Sequence, residues 1–551
     1  MPLPDPSRLR EYTRKGLDLA GRQVGLAPEQ RQGRRLGRSV SDHLADHPND
    51  GAGPRVLFLT PRDWAFHVQF EAILAAALQL RGAEVRFLTC GGGLELCDRV
   101  NTHEAPPLPC TSCTRYVEDS LDALGHQRVS LRSKWEPVDP GRWTELDGMG
   151  ADELPTAEAE GLPLGQLMDI PSRWFLLAAR LEQDPLGTVT QRDLLSSARR
   201  MAIGFRRQIE DWRPDIVVML NGLFSFESVA RAICRAEDID VVTYERTHRR
   251  GALVFNRETP ANRYDLSGIW ATRGVTPLSD DENEALDEYL VSRREQGHPL
   301  LDIWKDAVED RPDRPTDGRL VTLFSNVTWD SSVLGRDVAF SSMHHWLDAA
   351  VQYFIDHPQH RLIVRAHPAE AKRSGKWTRE PITTHLSERF GPLPENIRVI
   401  GPDDPTSSYP LMEESDIGLV YTSTVGIEMA VMGKPVLVSG RSHYRDLGFT
   451  NDASSPADFE ARLDHLLADP SAGVGRIDLA RRYAYAFFFD APIPAPLVDE
   501  PYPGLARHTV ERVDELLPGV NTDLDRICDG ILGRLGSDQA NRYFLAADTS
   551  E

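Results

Sequence analysis

Two short stretches in the second half of this chain hold side chains at spacings suited to binding phosphate. In residues 415–440, SDIGLVYTSTVGIEMAVMGKPVLVSG, an apolar run ends in Thr422, Ser423 and Thr424, and a helical pattern opens with Gly426 and Glu428 in its first turns. Small hydroxyls beside the N–H groups of a helix start suit an anion. A carboxylate one turn further in suits the hydroxyls of a ribose. The same letters also read as an ordinary Ser/Thr cap with Glu428 as its partner. In residues 361–370, RLIVRAHPAE, His367 and Pro368 follow directly on a buried-type strand that ends in Arg365. Ligands of open α/β sheets bind outside the carboxyl ends of strands, and both stretches sit at such ends. Arg336 and Arg365 are candidate cations for phosphate. Asn326, Ser407, Ser408 and Tyr409 lie in loops after further strands, placed either to line a base and phosphate or to serve as turn residues.

The first half offers candidates for moving a proton. Asp63 and His67 stand in PRDWAFH, just after a strand-like run, and a neutral imidazole there can take a proton from an attacking hydroxyl. His67 can equally cap or pack the first turn of the following helix. Glu245 ends the strand-like DVVTYER and opens the loop YERTHRRG, whose arginines suit an anionic partner or a solvated turn. Four cysteines, Cys90, Cys97, Cys110 and Cys113, read C-x6-C-x12-C-x2-C. Four thiolates can close a tetrahedral zinc site, and the last pair has the usual spacing. An iron–sulfur cluster uses the same ligand count and fits less well, and four plain thiols are the remaining reading. Cys234 and Cys528 fall in apolar helical settings, as core residues do.

These residues must be positioned by elements the pattern also predicts. Apolar strand-like runs begin at Arg55, Glu84, Ile216 and Asp240 and alternate with helical stretches; the alternation resumes after Arg319. Strand–helix alternation predicts parallel sheets covered by helices. At 551 residues the chain exceeds one ordinary core. The expected fold class is α/β, two Rossmann-like domains with parallel sheets facing a central cleft. The divisions are a flexible polar leader at 1–53, a first domain at 54–275 carrying the cysteines, a linker helix at 276–318, a second domain at 319–490 and a helical tail at 491–551. A net charge of -22 disfavours nucleic acid and anionic lipid as partners. No run approaches the length of a transmembrane helix and no signal-peptide core opens the chain, so the expected location is cytoplasmic. No P-loop or dinucleotide fingerprint is present.

Together, the His-Pro and Ser/Thr stretches resemble the capsule polysaccharide biosynthesis family, and more distantly bacterial sialyl- and Kdo-type transferases and teichoic-acid polymerases. The resemblance covers about residues 320–455 well and the first domain loosely. It implies a GT-B glycosyltransferase that takes a nucleotide-sugar donor and a surface polysaccharide or lipid-linked glycan acceptor, in association with a membrane assembly complex. On this resemblance His367 donates to the donor's phosphate, Ser423 and Thr424 contact it, and Glu428 binds the ribose. It also places a catalytic acid near Glu245, although the paired acids of the related loops are missing here. No organic cofactor is implied, and with no D-x-D motif in a suitable loop the transfer is expected to be metal-independent; the only metal expected is a structural zinc at the cysteines. A nucleotide-sugar 2-epimerase of the same plan and a non-catalytic assembly or export partner are the alternatives.

Overall fold

A computed structural model describes residues 16, 21–22, 25, 27–48, 51–296, 308–372, 377–502 and 504–545. The first sheet is built from β1 (Arg55–Leu59), β2 (Glu84–Thr89), β3 (Arg128–Ser130), β4 (Ile216–Leu220), β5 (Asp240–Arg246) and β6 (Ala252–Arg257). The second takes β7 (Leu320–Phe324), β8 (Arg361–Arg365), β9 (Ile397–Ile400), β10 (Ile417–Val420), β11 (Val436–Val438) and β12 (Asn451–Asp452). These strands are continuous apolar runs because helices cover both faces: Leu57, Val217, Val218, Leu323 and Leu419 are each 0% exposed.

The second sheet runs β12-β11-β10-β7-β8-β9 and is parallel throughout. The chain winds outward from β7 to one edge, returns, and winds to the other edge from β10. Between β7 and β10 lies the switch point at which such sheets bind ligands. The first sheet repeats this order around β1 and β4 and then adds β6 antiparallel to β5. The expected fold class, α/β with two Rossmann-like domains, is what the chain forms.

Two segments differ from expectation. Part of the expected mobile leader lies outside the described residues, but Pro28–Asp46 is a 19-residue helix packed on the helix Cys110–Leu124. The contact depends on missing side chains: a Cβ on Gly37 would meet the Cα of Leu124 at 2.6 Å. Close backbone approach of this kind leaves little apolar periodicity to read.

The tail is the second difference. β13 (Ile493–Pro494) and β16 (Phe544–Leu545) both pair with β6, so the chain returns from the second domain to the first. Between them β14 (Val498–Tyr502) and β15 (Leu505–His508) form a hairpin, with Gly504 in the left-handed region at φ 82°. Residues 506–517, expected to be helical, are therefore partly strand and end in one 3-10 turn at Val513–Leu516. Thr522–Ile531 is helical as expected.

The expected linker helix forms over Asp280–Gln296 and buries Arg293, which is only 8% exposed; residues 297–307 lie outside the described residues. Tyr289 Oη on this helix donates to the His248 carbonyl of the first domain at 2.8 Å, and Arg481 of the second domain reaches its Asn283 and Asp287. Among the described residues no helix is long and apolar enough to cross a membrane.

Candidate functional site

The loops that leave β7, β8 and β10 are tied together at the switch point. Asn326 Oδ1 accepts from the Thr422 N–H at 3.4 Å, and Ser325 Oγ accepts from the His367 N–H at 3.0 Å. The Ala369 N–H donates to His367 Nδ1 at 3.1 Å. A ring nitrogen that accepts carries no proton, so the neutral imidazole holds its hydrogen on Nε2. His367 thus meets the cleft as an N–H donor.

Glu428 is 4% exposed and both of its oxygens are gripped. Arg293 Nη2 donates to Oε1 at 2.8 Å, and Tyr409 Oη donates to Oε2 at 2.8 Å. Burial alone would lower the Arg293 pKa, but the Glu428 charge outweighs it and the net shift is upward, so the guanidinium stays charged. Arg293 is on the linker helix, and the sequence reading missed it because the helix is highly charged on most of its turns. Ser408 opens the short helix that carries Tyr409, capped by Ser407 Oγ, which accepts from the Tyr409 N–H at 3.3 Å.

Two expectations for phosphate need correction. The helix after the Ser/Thr loop, Val425–Val431, has only seven residues. Its first N–H groups are already bonded: Val425 to Ser423 Oγ, Gly426 to the Ser423 carbonyl, and Ile427 and Glu428 to that of Thr424. What the loop offers instead is hydroxyl, notably Thr422 Oγ1, buried with no hydrogen-bond partner among the described residues. Arg365, 2% exposed, is spent on the carbonyls of Gly401, Asp404 and Thr406 and so holds the loop after β9 in place. Burial pushes its pKa down to about 10. Arg263, Arg336 and Arg441 line the cleft alongside it. A cationic cleft in an acidic chain is a local specialisation for an anion.

From the first domain His248, Asn262, Arg263 and Tyr264 close the other wall, none of which the sequence reading singled out. Asn262 Nδ2 donates to Ser331 Oγ across the domains at 2.9 Å. Glu245 stands deeper: Oε2 accepts from Asn221 Nδ2 at 3.0 Å and Oε1 from the Arg246 N–H at 2.8 Å. Burial raises its pKa despite these bonds, and Asp330 of the second domain adds to the rise.

His67 and Asp63 are placed less favourably. Burial first, then Arg246 and Arg62, push the His67 pKa down to about 3, and its Nδ1 lies 3.2 Å from Tyr244 Oη. Tyr244 in turn donates to the buried Glu71 at 2.7 Å. Asp63 is occupied by Arg99, which donates to both of its oxygens. The neighbouring Arg62 is buried between Asp98 and Glu227, at 2.8 and 2.6 Å. These ion pairs shape the loop after β1 and leave Asp63 no role as a free base.

The cysteines share one neighbourhood. Cys90 follows β2, and Cys110 and Cys113 open a helix; a Cβ on Gly92 would touch Cys110 Cβ at 3.3 Å. Gly92 and Arg99 N–H groups donate to the sulfurs of Cys90 and Cys97 at 3.3 and 3.4 Å. Burial pushes the Cys90 thiol up to about 11. Even so, among the described residues no group of three or more His, Cys, Asp or Glu side chains is placed to hold a metal ion. The donor set expected for zinc is not assembled here.

The stretch that runs from the linker helix through the second domain carries a family signature. Residues 283–467 match the capsule polysaccharide biosynthesis protein family. The matched segment holds Arg293, His367, the Ser/Thr loop and Glu428, so these side chains at the switch point all fall within it. Similar solved structures include a β-Kdo 2,7 transferase, KpsC of Thermosulfurimonas dismutans, at 16% identity, covering 51% of this chain and 79% of that one, TM-score 0.31. A UDP-GlcNAc 2-epimerase of Neisseria meningitidis bound to UDP-GlcNAc is 13% identical over 78% and 97%, TM-score 0.25. The glycosyltransferase SnogD of Streptomyces nogalater is 18% identical over 79% and 95%, TM-score 0.24. These scores are low, and the fold rests on the chain's own sheet topology. Among curated proteins none matches the chain.

Proposed function

We propose that the protein is a glycosyltransferase of the GT-B type, moving a sugar from a nucleotide-sugar donor to a surface polysaccharide or lipid-linked glycan. The observation that carries this reading is the set of groups converging on one cleft: the His367 Nε2–H donor, the Thr422 hydroxyl, several guanidinium groups and a braced carboxylate at Glu428. A nucleotide-sugar presents complementary chemistry, an anionic phosphate beside ribose hydroxyls.

In this reading the donor lies against the second domain, with its phosphate toward His367 and the arginines and its ribose toward Glu428. Fixed donors around the leaving phosphate stabilise the charge that develops as the glycosidic bond breaks, work that guanidinium and imidazole groups can do without a divalent ion. The acceptor enters from the first domain, where Glu245 is the better-placed proton carrier. Burial raises the Glu245 carboxyl above its ordinary range, whereas an imidazole at about 3 holds a proton too weakly. The reading is tested by a thermal-shift screen against cytidine, uridine, guanosine and thymidine nucleotides. A ligand at 100 times its Kd stabilises by about 2.7 kcal/mol. Product analysis with and without glycan acceptor then separates transfer from epimerisation, and no shift with any nucleotide would overturn the assignment.

A further inference from the structure

The loop after β11 brings a further histidine into the cleft, His443, which the donor-site reading has not used. Its Nδ1 lies 2.8 Å from Tyr483 Oη, and the same Oη lies 2.7 Å from the His443 carbonyl oxygen. A phenol has one proton. If that proton went to Nδ1, two oxygens without a hydrogen between them would be forced together at 2.7 Å. Both contacts are satisfied only when Tyr483 donates to the carbonyl and Nδ1–H donates to Tyr483 Oη. The neutral ring then carries its hydrogen on Nδ1 and a lone pair on Nε2.

His443 is therefore the opposite of His367. One main-chain N–H fixes His367 as an Nε2–H donor; one tyrosine fixes His443 as an Nε2 acceptor. Among the described residues no group bonds His443 Nε2. The ring stacks on Phe487 with centroids 4.5 Å apart and stands 5.5 Å from Tyr264, so it is held between the second domain and the wall supplied by the first. The neighbouring Tyr444 donates to the Ser423 carbonyl at 2.6 Å, which ties this loop to the Ser/Thr loop.

We propose that His443 accepts, through Nε2, a hydrogen bond from a hydroxyl of the bound nucleotide-sugar. The assignment rests on the donor-site reading above and adds a residue that reads the donor's hydroxyl pattern. Burial, then the nearby Arg336, hold the ring at about 3, so it stays neutral and serves as an acceptor and not as a carrier of the proton. Packing alone does not need a nitrogen at this edge, since a phenyl ring would stack on Phe487 equally well. The tyrosine partner keeps its bond in any substitution here because it donates to the main chain.

The test compares His443→Phe, which keeps the stack and loses the acceptor, with His443→Gln, which restores an oxygen acceptor near the Nε2 position. Calorimetry measures, in the cytidine, uridine, guanosine and thymidine series, the affinity of each nucleotide and of its nucleotide-sugar. Losing one neutral hydrogen bond lowers affinity about two- to tenfold, and His443→Gln should recover most of it. A loss confined to the nucleotide-sugar assigns the hydroxyl to the sugar; an equal loss for the bare nucleotide assigns it to the ribose. Unchanged affinity for both in His443→Phe, with the native protein binding normally, overturns this role alone. Equal losses in the Phe and Gln variants overturn it too, by pointing to shape. A native protein that binds no nucleotide overturns the donor-site reading and this one with it.

Discussion

Arg293 and Glu428 are 135 residues apart in sequence and joined at 2.8 Å, so a helix outside both Rossmann domains braces the acid of the cleft. Both side chains are below 10% exposed, at 9% and 5%. Breaking such a pair from one side leaves a buried charge, which costs about 3–5 kcal/mol. Arg293→Met should therefore lower stability toward the small end of that range, because Tyr409 still donates to the carboxylate. Adding Glu428→Gln should recover much of the loss. Urea unfolding of the two single variants and the double variant checks this as a mutant cycle.

In the same cleft, His367→Ala removes an N–H donor whose tautomer the Ala369 N–H fixes. The expected result is a roughly 10- to 150-fold weaker nucleotide, the equivalent of about 1.5–3 kcal/mol for a hydrogen bond to a charged group, in a protein that still folds. Glu428→Ala should weaken nucleotide as well. Titration calorimetry that finds native affinity in both variants would remove the assignment.

Proton transfer is expected to depend on Glu245 more than on His67. Glu245→Gln should lower turnover by about 10²–10⁴-fold with donor affinity intact, and His67→Ala by much less. Steady-state rates at saturating donor, with nucleotide Kd measured in parallel, decide between them. Equal small effects would put the proton on the substrate or on another residue.

Glu71 carries a pH signature. Burial pushes its carboxyl up to about 8 from an ordinary value of 4.5, although Thr60 and Tyr244 donate to it. The folded chain then keeps a proton that the unfolded chain releases, so this group's share of stability is fully present below about 4.5. It is lost as the pH rises toward about 8, with a limiting slope near 1.4 kcal/mol per pH unit. Glu71→Gln, which cannot titrate, should flatten the pH dependence of denaturant unfolding between those limits. An unaltered slope would mean that Glu71 ionises normally in the fold.

A structural zinc at Cys90, Cys97, Cys110 and Cys113 is proposed on their sequence spacing alone, because the described residues do not bring three such ligands together. It predicts about one equivalent of zinc in protein purified without added metal. Less than about half an equivalent, with no iron–sulfur absorbance, would leave four plain thiols.

The strands were legible because fully buried parallel strands are unbroken apolar runs, and RVLFL, IVVML and IGLV read as such. His367, Thr422 and Glu428 followed from the rule that strands deliver ligand groups at their carboxyl ends. The same rule, applied to VLVSGRSH after β11, reaches His443, and nothing hid it except the absence of a familiar motif. Arg293 was less accessible to sequence reasoning, since an arginine in a helix rich in acids looks solvated until the fold buries it. Arg365 shows the converse: residue type and position suggested a phosphate ligand, yet backbone carbonyls claimed it. The two-residue strands β13 and β16 carry too few side chains to leave any pattern.

Because β13 and β16 return the chain to the first sheet, the polypeptide passes between the two domains twice, once through the linker helix and once before Ile493. A body attached at one point can swivel in any direction, whereas attachment at two points defines an axis. Two chain crossings of this kind favour opening and closing along one arc over twist and sideways drift. If the proposed transfer needs Glu245 and Glu428 in the same registration at every turnover, a single arc would make each closing a repeat of the last.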